Sequence, residues 1–302
     1  MKKPFNYRSI FLILTGFLLF SINTISAQST KVYVSAHPDD WQLFMNPNAY
    51  HDLQNQDDKI IFLHTTAGDA GQGIGNMSYY LAREEGSLRA IRFLCNAVND
   101  SLKQGHAMNE NSVVVNDHVI KRFSYANAVA YFLRLPDGNY TGPGYPMHNM
   151  TSLEKFYKGE VSGLKAIDGS TAYSSIKDLN TTIAALITYE TLENNTIEFN
   201  IAETDSILNP DDHSDHLHSS FIMQNVALQL GLKSVRLYEE YATNKKEVNV
   251  FDDGFLICAG TWGVTASGLS DNYHDSTWND VHNIWIGRQY FREVLLSDLI
   301  KN

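Results

Sequence analysis

The chain has 302 residues, of which 43% are hydrophobic and 19% are charged. A disordered chain would be poorer in apolar residues and richer in charge, so this composition excludes disorder for most of the chain and indicates one large domain or two small ones. The formal net charge of -11 argues against a general nucleic-acid binder, because such a protein needs a basic face that displaces the counterions of the phosphate backbone.

The N-terminal segment differs in character from the rest of the chain. Three basic residues precede an apolar run over Ile10–Ile22, and Ala27 then provides a small residue at a cleavage position. This order is typical of a secretory signal peptide over residues 1–27. Because the apolar run is shorter than the ~20 residues of a membrane span, we expect cleavage rather than an uncleaved anchor. The sequence therefore predicts a secreted or periplasmic protein in which residues 28–302 form a single domain without a stable membrane span.

Strand-like and helix-like segments alternate along the mature chain. The predicted strands are Lys31–Ala36, Lys59–Thr66, a hairpin over Ser112–Tyr125, Ala128–Leu135, Thr196–Ala202 and Ser234–Tyr241. The predicted helices are Tyr79–Val98, Ser174–Glu190 and His216–Leu230. This alternation predicts an α/β fold, with a mostly parallel sheet and helices on both faces.

Two segments fall outside the alternation. Pro136–Gly169 and Ala259–Asn279 are rich in Gly, Ser, Asn and other turn-forming residues, and we interpret both as loops over the edge of the sheet. The second segment carries Trp262, Tyr273 and Trp278, which could stack on sugar rings. Packing in the core is the interpretation that we favour for each of these three rings.

Cys95 and Cys258 are the two cysteines of the chain. They could form one disulfide in an oxidising compartment, but we favour two buried free thiols. Since the chain has no C-x-x-C pair, a cysteine-based zinc site is not expected.

Polar side chains follow the carboxyl ends of the predicted strands, where open α/β sheets bind their ligands. The clusters are His37-Pro38-Asp39-Asp40, Gly68–Gly75, Pro136-Asp137-Gly138, Glu203-Thr204-Asp205 and Asp211–His216. Because the carboxyl ends of parallel strands lie at one edge of a sheet, we expect these clusters to form a single site. The glycine spacing in the second cluster does not match a dinucleotide fingerprint and instead indicates a close approach of the backbone to a substrate or a metal site.

The first of these clusters has the chemistry of a metal site. His37 and Asp40 can face one point as the chain turns after a strand, and an imidazole nitrogen with a carboxylate oxygen suits Zn²⁺. Asp39 cannot easily share that direction and is better placed beside the metal, as a base for the attacking water. His213-x-Asp215-His216 can supply a third ligand, and three ligands with an open position indicate a catalytic zinc site. A core histidine or a helix N-cap would explain each residue singly; the combination favours a metal.

The other histidines carry weaker signals. We expect His64 to be packed within its strand and His218 to lie on a helix surface, whereas His148 and His282 show no local pattern.

Five motifs in a fixed order carry a resemblance to a known family. They are A-H-P-D-D (36–40), T-x-G-D-x-G (66–71), Arg-Glu-Glu (83–85), L-P-D-G (135–138) and H-S-D-H (213–216). Together they resemble the LmbE/PIG-L family of zinc-dependent N-acetylglucosamine deacetylases, over a stretch from about Lys31 to Leu230. The resemblance implies a Rossmann-like α/β fold whose active site lies at the carboxyl ends of the strands.

The resemblance also implies roles for individual residues. One zinc ion per chain would be held by His37, Asp40 and His216, with Asp39 as the general base. His213 would stabilise the oxyanion or act as an acid, and Asp215 would orient its imidazole. Arg83 and Asp137 are the expected substrate contacts.

The chain departs from the family pattern near the expected substrate entrance. Trp41 stands where the family usually has Glu, and Leu43–Asn48 replaces a Gly-rich turn. Pro136–Gly169 is also longer than the family needs.

Together with the predicted signal peptide, the resemblance implies a secreted zinc-dependent hydrolase that removes the acetyl group from an N-acetylamino sugar or glycan. One alternative is a zinc amidase that acts on a non-sugar acyl amide. Another is a non-catalytic secreted glycan-binding protein. Fe²⁺, Mn²⁺ or Co²⁺ could take the place of zinc, because geometry and availability decide metal choice as much as ligand type does.

Overall fold

The structure is a computed structural model that describes residues 28–75, 78–99, 107–193 and 195–299. The predicted signal peptide over residues 1–27 lies outside the described residues. Within the described ranges, no helix has both the length and the apolar character needed to cross a membrane.

An eight-stranded sheet forms the centre of the fold. The strands are β1 (Ser29–Ser35), β2 (Lys59–Thr66), β3 (Asn109–Val115), β4 (His118–Tyr125), β5 (Ala128–Leu135), β8 (Thr196–Ala202), β9 (Ser234–Tyr238) and β10 (Phe291–Leu295), while β6 (Leu164–Lys165) and β7 (Ala172–Tyr173) form a separate pair. Their order in the sheet is β10-β9-β8-β1-β2-β5-β4-β3. The run from β9 to β5 is parallel, and β10 and the β3–β4 hairpin add antiparallel edges. The predicted mostly parallel α/β sheet is confirmed.

Helices cover both faces of this sheet. They are α1 (Asp40–Phe44), α2 (Asn48–Leu53), α3 (Tyr79–Val98), α4 (Leu153–Tyr157), α5 (Ile176–Glu190), α6 (Ser214–Gln229), α7 (Asp252–Asp271), α8 (Asp280–Asn283) and α9 (Leu296–Leu299), with short 3-10 helices at Pro146–His148 and Tyr241–Lys245. Successive side chains of a strand point to opposite faces. In β1, Val32 and Val34 belong to the core shared with α4, α5 and α6, whereas Tyr33 belongs to the core shared with α1, α2, α3 and α7.

The position of β1 determines where a ligand can bind. β1 lies between β2 and β8 and is parallel to both. The chain continues from β1 to β2 but from β8 to β9, which lie on opposite sides of this pair of strands. Such a switch in strand order opens a crevice beyond the carboxyl end of the strand. His37 follows β1 directly and therefore lies at this crevice.

The prediction of a loop over Ala259–Asn279 is wrong, because most of that segment belongs to helix α7. Gly, Ser and Thr disfavour a helix only weakly, and packing can outweigh propensity. A Cβ atom on Gly268 would lie 2.5 Å from the Cα atom of Gly86 in α3, so the two helix backbones touch where both residues are glycine. Trp262 of α7 is fully buried, as we favoured. The same expectation is wrong for Tyr273 and Trp278, which lie beyond the helix and are exposed.

The cysteine and histidine expectations have different outcomes. Cys95 and Cys258 are both buried free thiols, as favoured. His64 is buried in β2 and stacks on Phe132, as expected for a packed residue. The expectation for His218 is wrong, because this residue is buried where α6 packs on α4.

The contact between α3 and α7 predicts opposite effects for two substitutions in one helix. Gly268→Ala places a methyl group against the backbone of Gly86 and should lower the free energy of unfolding by about 1–3 kcal/mol, as overpacking does. Gly263→Ala meets only Trp278 at 3.8 Å, so helix propensity should raise stability by up to about 1 kcal/mol. Urea denaturation of both variants measures the difference, and stabilisation by Gly268→Ala would contradict the close contact.

Candidate metal centre and active site

Three predicted ligands converge at the carboxyl end of β1. His37 Nδ1 lies 3.5 Å from Asp40 Oδ1, His216 Nε2 lies 3.4 Å from the same oxygen, and the two ring nitrogens lie 3.3 Å apart. Ligand atoms at about 2.0–2.1 Å from a tetrahedral zinc ion lie ~3.3 Å from one another. The triangle of one oxygen and two nitrogens therefore fits a single tetrahedral metal ion. All three side chains are buried.

Local hydrogen bonds explain how this part of the chain presents its ligands. Asp40 begins α1, and its Oδ2 accepts a 2.6 Å hydrogen bond from the backbone N–H of His37. The Gln42 side chain donates to the carbonyl of Pro38 at 2.9 Å, which holds the turn between β1 and α1. These bonds leave Asp40 Oδ1 facing the two imidazole rings.

Carboxylates also hold the remaining nitrogen of each ligand imidazole. His37 Nε2 lies 3.4 Å from Asp215 Oδ2. His216 Nδ1 lies 2.9 Å from Asp212 Oδ1 and 2.5 Å from Glu240 Oε2. A carboxylate on the outer nitrogen fixes the orientation of a metal-ligating histidine and raises its basicity, so both rings are oriented for ligation.

The charge at the site favours a cation. Burial lowers the pKa of His37, but Asp40 and Asp215 outweigh this and raise the pKa to about 10. Burial likewise opposes protonation of His216, and Glu240 with Asp212 holds its pKa well above the usual value. The surrounding carboxylates thus stabilise positive charge at this point, whether the rings or a metal ion carry it.

Asp39 lies beside the triangle and is paired with Arg83. The Arg83 guanidinium donates to Asp39 Oδ1 and, at 2.6 Å, to the carbonyl of Gly68. Gly68 has a φ of +55°, and a Cβ there would lie 2.4 Å from Arg83 Nη1 and 3.0 Å from His37 Cβ, so the close approach requires glycine. The Asp39 side chain makes no capping bond to α1. Arg83, which we predicted to contact the substrate, thus contacts Asp39, the predicted general base.

The His213 ring is held through its Nδ1 atom, which accepts a backbone hydrogen bond. Its Nδ1 accepts a 3.1 Å bond from the backbone N–H of Asp215, so a neutral ring carries its proton on Nε2. Burial and the nearby His37 and His216 rings lower the pKa of His213 well below its usual value. The ring lies edge-on to His37, with 4.6 Å between the ring centroids.

Asp215 and Asp137 complete the inner wall of the site. Asp215 Oδ2 accepts from the Gly138 backbone at 2.8 Å and lies 3.9 Å from His213 Nδ1. This carboxylate therefore contacts His37 rather than His213, and the Asp215 backbone rather than its side chain orients the His213 ring. Asp137 accepts from two backbone N–H groups, and it groups with His37, His213 and Asp215 within 4.8 Å.

Sequence reasoning missed two residues that support the site. Glu240 fell inside the predicted strand Ser234–Tyr241, but β9 ends at Tyr238, so Glu240 follows the strand like the other polar clusters. His148 has no local signal, because its partner is distant in the chain: its Nε2 lies 2.7 Å from Oδ2 of the buried Asp69. This pair fastens the Pro136–Gly169 segment to the Gly-rich loop after β2.

A stack of aromatic rings lines one side of the site. Tyr140 and Tyr241 have ring centroids 6.3 Å apart, and Tyr241 and Trp285 have centroids 5.1 Å apart, with interplanar angles of 12° and 20°. The Tyr241 ring contacts His216 edge-on, and Tyr140 contacts His213 in the same way. Tyr140 is 45% exposed, so the stack extends from the buried ligands to the surface.

Comparison with known proteins gives one distant structural similarity to report. No protein-family model matches the chain, and no curated protein matches it. The chain is similar to the N,N'-diacetylchitobiose deacetylase from Pyrococcus horikoshii, with a TM-score of 0.47 and 15% identity over 91% of this chain and 86% of that one. A similarity at this level of identity concerns the fold and not the activity. The parallel sheet and the His/Asp cluster do match what the resemblance to LmbE/PIG-L implied.

The link between Asp69 and His148 can be tested by stability. His148→Ala removes one of the two groups that contact Asp69 Oδ2 and leaves the Gly73 backbone as its donor. We expect the free energy of unfolding to fall by about 1–3 kcal/mol, the cost of leaving a buried polar group without its partner. Adding Asp69→Asn should recover part of the loss, because the amide carries no buried charge.

Urea denaturation of the single and double variants measures this coupling. His51→Ala, on the exposed surface of α2, is the control and should change stability by less than about 0.5 kcal/mol. Equal losses in the single and double variants would contradict a charge-dependent link.

Proposed function

We propose that the protein is a zinc-dependent amide hydrolase that removes the acetyl group from an N-acetylamino sugar. The observation that carries this proposal is the buried triangle of His37, Asp40 and His216, with Asp39 beside it. Three protein ligands of this type leave a tetrahedral zinc ion one open position, as in catalytic sites. We also propose that residues 1–27 direct export of the chain.

The ligand triangle and its neighbours supply the groups that amide hydrolysis needs. A metal ion held there supplies a Lewis acid and lowers the pKa of water to near neutrality. Asp39 has Oδ1 held by Arg83, which leaves Oδ2 to take the proton of the attacking water. His213 donates its Nε2 proton in a hydrogen bond to the carbonyl oxygen as negative charge develops there. The C–N bond then breaks, and Asp39 returns the proton to the amine as acetate leaves.

The aromatic stack supports a sugar as the rest of the substrate. Ligand sites are commonly lined by aromatic rings with a few polar groups that fix orientation. Tyr140 presents a partly exposed ring next to His213, and the apolar face of a pyranose ring can pack on it. Asp137, close to His37 and His213, can accept a hydrogen bond from a sugar hydroxyl or from the product amine.

The direct test is acetate release by the purified mature chain from Gln28. We expect release from N-acetylglucosamine or its short oligomers when zinc is supplied, and loss of release after chelation. A zinc-loaded chain that releases no acetate from these sugars, but hydrolyses an acylated peptide or lipid, would identify the alternative amidase. A chain that neither binds metal nor releases acetate would favour a glycan-binding protein.

Asp39→Asn separates the proposed base from the metal ligands. The amide keeps the shape of the side chain and its contact with Arg83 but cannot accept the proton, so kcat should fall about 10²- to 10⁴-fold. Zinc content, measured by mass spectrometry of the purified protein, should remain that of the wild type. Asp57→Asn, at an exposed position, is the matched control and should keep full activity. A fully active Asp39→Asn enzyme would refute the assignment.

A further inference from the structure

We propose that Glu240 is a positioning residue of the metal centre. Together with Asp212, it holds the His216 ring and strengthens the binding of a divalent cation on the opposite side of that ring. This inference rests on the metal site proposed above. It assigns a role to a residue that follows β9, beyond the stretch that carries the LmbE/PIG-L motifs.

The contacts of Glu240 point to His216 alone. Its side chain is 1% exposed, and Oε2 approaches His216 Nδ1 to 2.5 Å. Neither carboxylate oxygen receives a hydrogen bond from any residue that the structure describes, so the contact with His216 is one of charge. A buried carboxylate is costly unless positive charge lies close to it, so the surroundings of His216 must compensate this one.

A local structural role does not account for the side chain. Glu240 precedes the 3-10 helix Tyr241–Lys245, but its carboxylate makes no capping bond there. Thr243 instead bonds to the Glu240 carbonyl, through its backbone N–H at 3.0 Å and its hydroxyl at 2.7 Å. The turn is therefore stabilised by the backbone of Glu240 and does not need the carboxylate.

A single amide links the two carboxylates that face His216. The Asn209 side chain donates to Asp212 Oδ2 at 2.7 Å and accepts from the backbone N–H of Glu240 at 3.1 Å. Asn209 is itself buried. The segment after β8 and the segment after β9 are thus fixed to each other around the same imidazole.

One carboxylate is enough to orient the His216 ring, yet both Asp212 and Glu240 face it. His216 Nδ1 carries one proton, and Asp212 Oδ1 at 2.9 Å can accept it. The negative charge of Glu240 is accounted for if a positive charge lies on the opposite side of the His216 ring. That side carries Nε2, where His37 and Asp40 complete the ligand triangle. A carboxylate in this position raises the basicity of the ligating nitrogen, so the pair should increase metal affinity.

The test compares zinc affinity in two adjacent glutamate variants of the mature chain. Glu240→Gln keeps the size of the side chain and an acceptor oxygen but removes the charge, and it should weaken zinc binding about 10- to 100-fold. Glu239→Gln is the matched control, because Glu239 pairs with Lys246 rather than with His216, and its zinc affinity should equal that of the wild type. Competition with a chromophoric chelator measures affinity without any assay of activity.

Thermal unfolding of the metal-free proteins separates positioning from a structural role. Metal-free Glu240→Gln should unfold cooperatively but at a lower temperature than the wild type, because it loses the pair with His216, and added zinc should raise its unfolding temperature less than that of the wild type. Wild-type affinity in Glu240→Gln would overturn this inference and leave the metal site intact. An equal loss of affinity in Glu239→Gln, or loss of cooperative unfolding in metal-free Glu240→Gln, would assign a structural effect and also overturn it.

The wild type distinguishes this inference from the proposed function. A wild-type chain that binds no zinc overturns both. A wild-type chain that binds zinc and loses affinity with Glu240→Gln, but hydrolyses no acyl amide, supports the positioning role and overturns the proposed activity alone.

Discussion

The parallel pairing of β1 with both β2 and β8 is the constraint on which the site depends. Because β1 is central, the turn after it is covered by α1, α6 and the loop after β2, and its polar residues are buried. Buried charge must be matched by charge or by hydrogen bonds. His37, Asp39 and Asp40 each have such a partner, in Asp215, Arg83 and His216 respectively. The sheet thus brings together buried polar groups, each of which is stable there only because the others provide its charge or hydrogen-bond partner.

This requirement explains why the groups around the ligand triangle are arranged in layers. The ligand atoms face one another, the carboxylates lie on the outer ring nitrogens, and amides then hold the carboxylates: Gly138 N–H on Asp215 and the Asn209 side chain on Asp212. Each layer fixes the orientation of the layer inside it. A substitution in an outer layer therefore changes the geometry and charge of the ligand triangle without removing a ligand.

The sequence was sufficient for the parts of the fold that have a local signal. β2, β5, β8 and α3 begin and end at the predicted residues, because their apolar spacing and their burial agree. Helix α7 was not predictable, since Gly268 is explained only by its contact with Gly86 of α3. His148 was not predictable either, because its significance comes from Asp69, a residue on another loop. A residue whose partner is distant in the sequence cannot be recognised from the residues next to it in the chain.

The ligand triangle and the aromatic side of the site come from different parts of the chain, and different physical constraints apply to them. The ligand triangle comes from the turn after β1 and the start of α6, where geometry must be matched to within tenths of an ångström. The aromatic side is built where Tyr140, from the long Pro136–Gly169 segment, stacks on Tyr241, which follows β9. Stacking tolerates changes of ring and offset that metal ligation does not. In the proposed enzyme, selection among substrates can therefore change through these two segments while the groups at the end of β1 stay fixed.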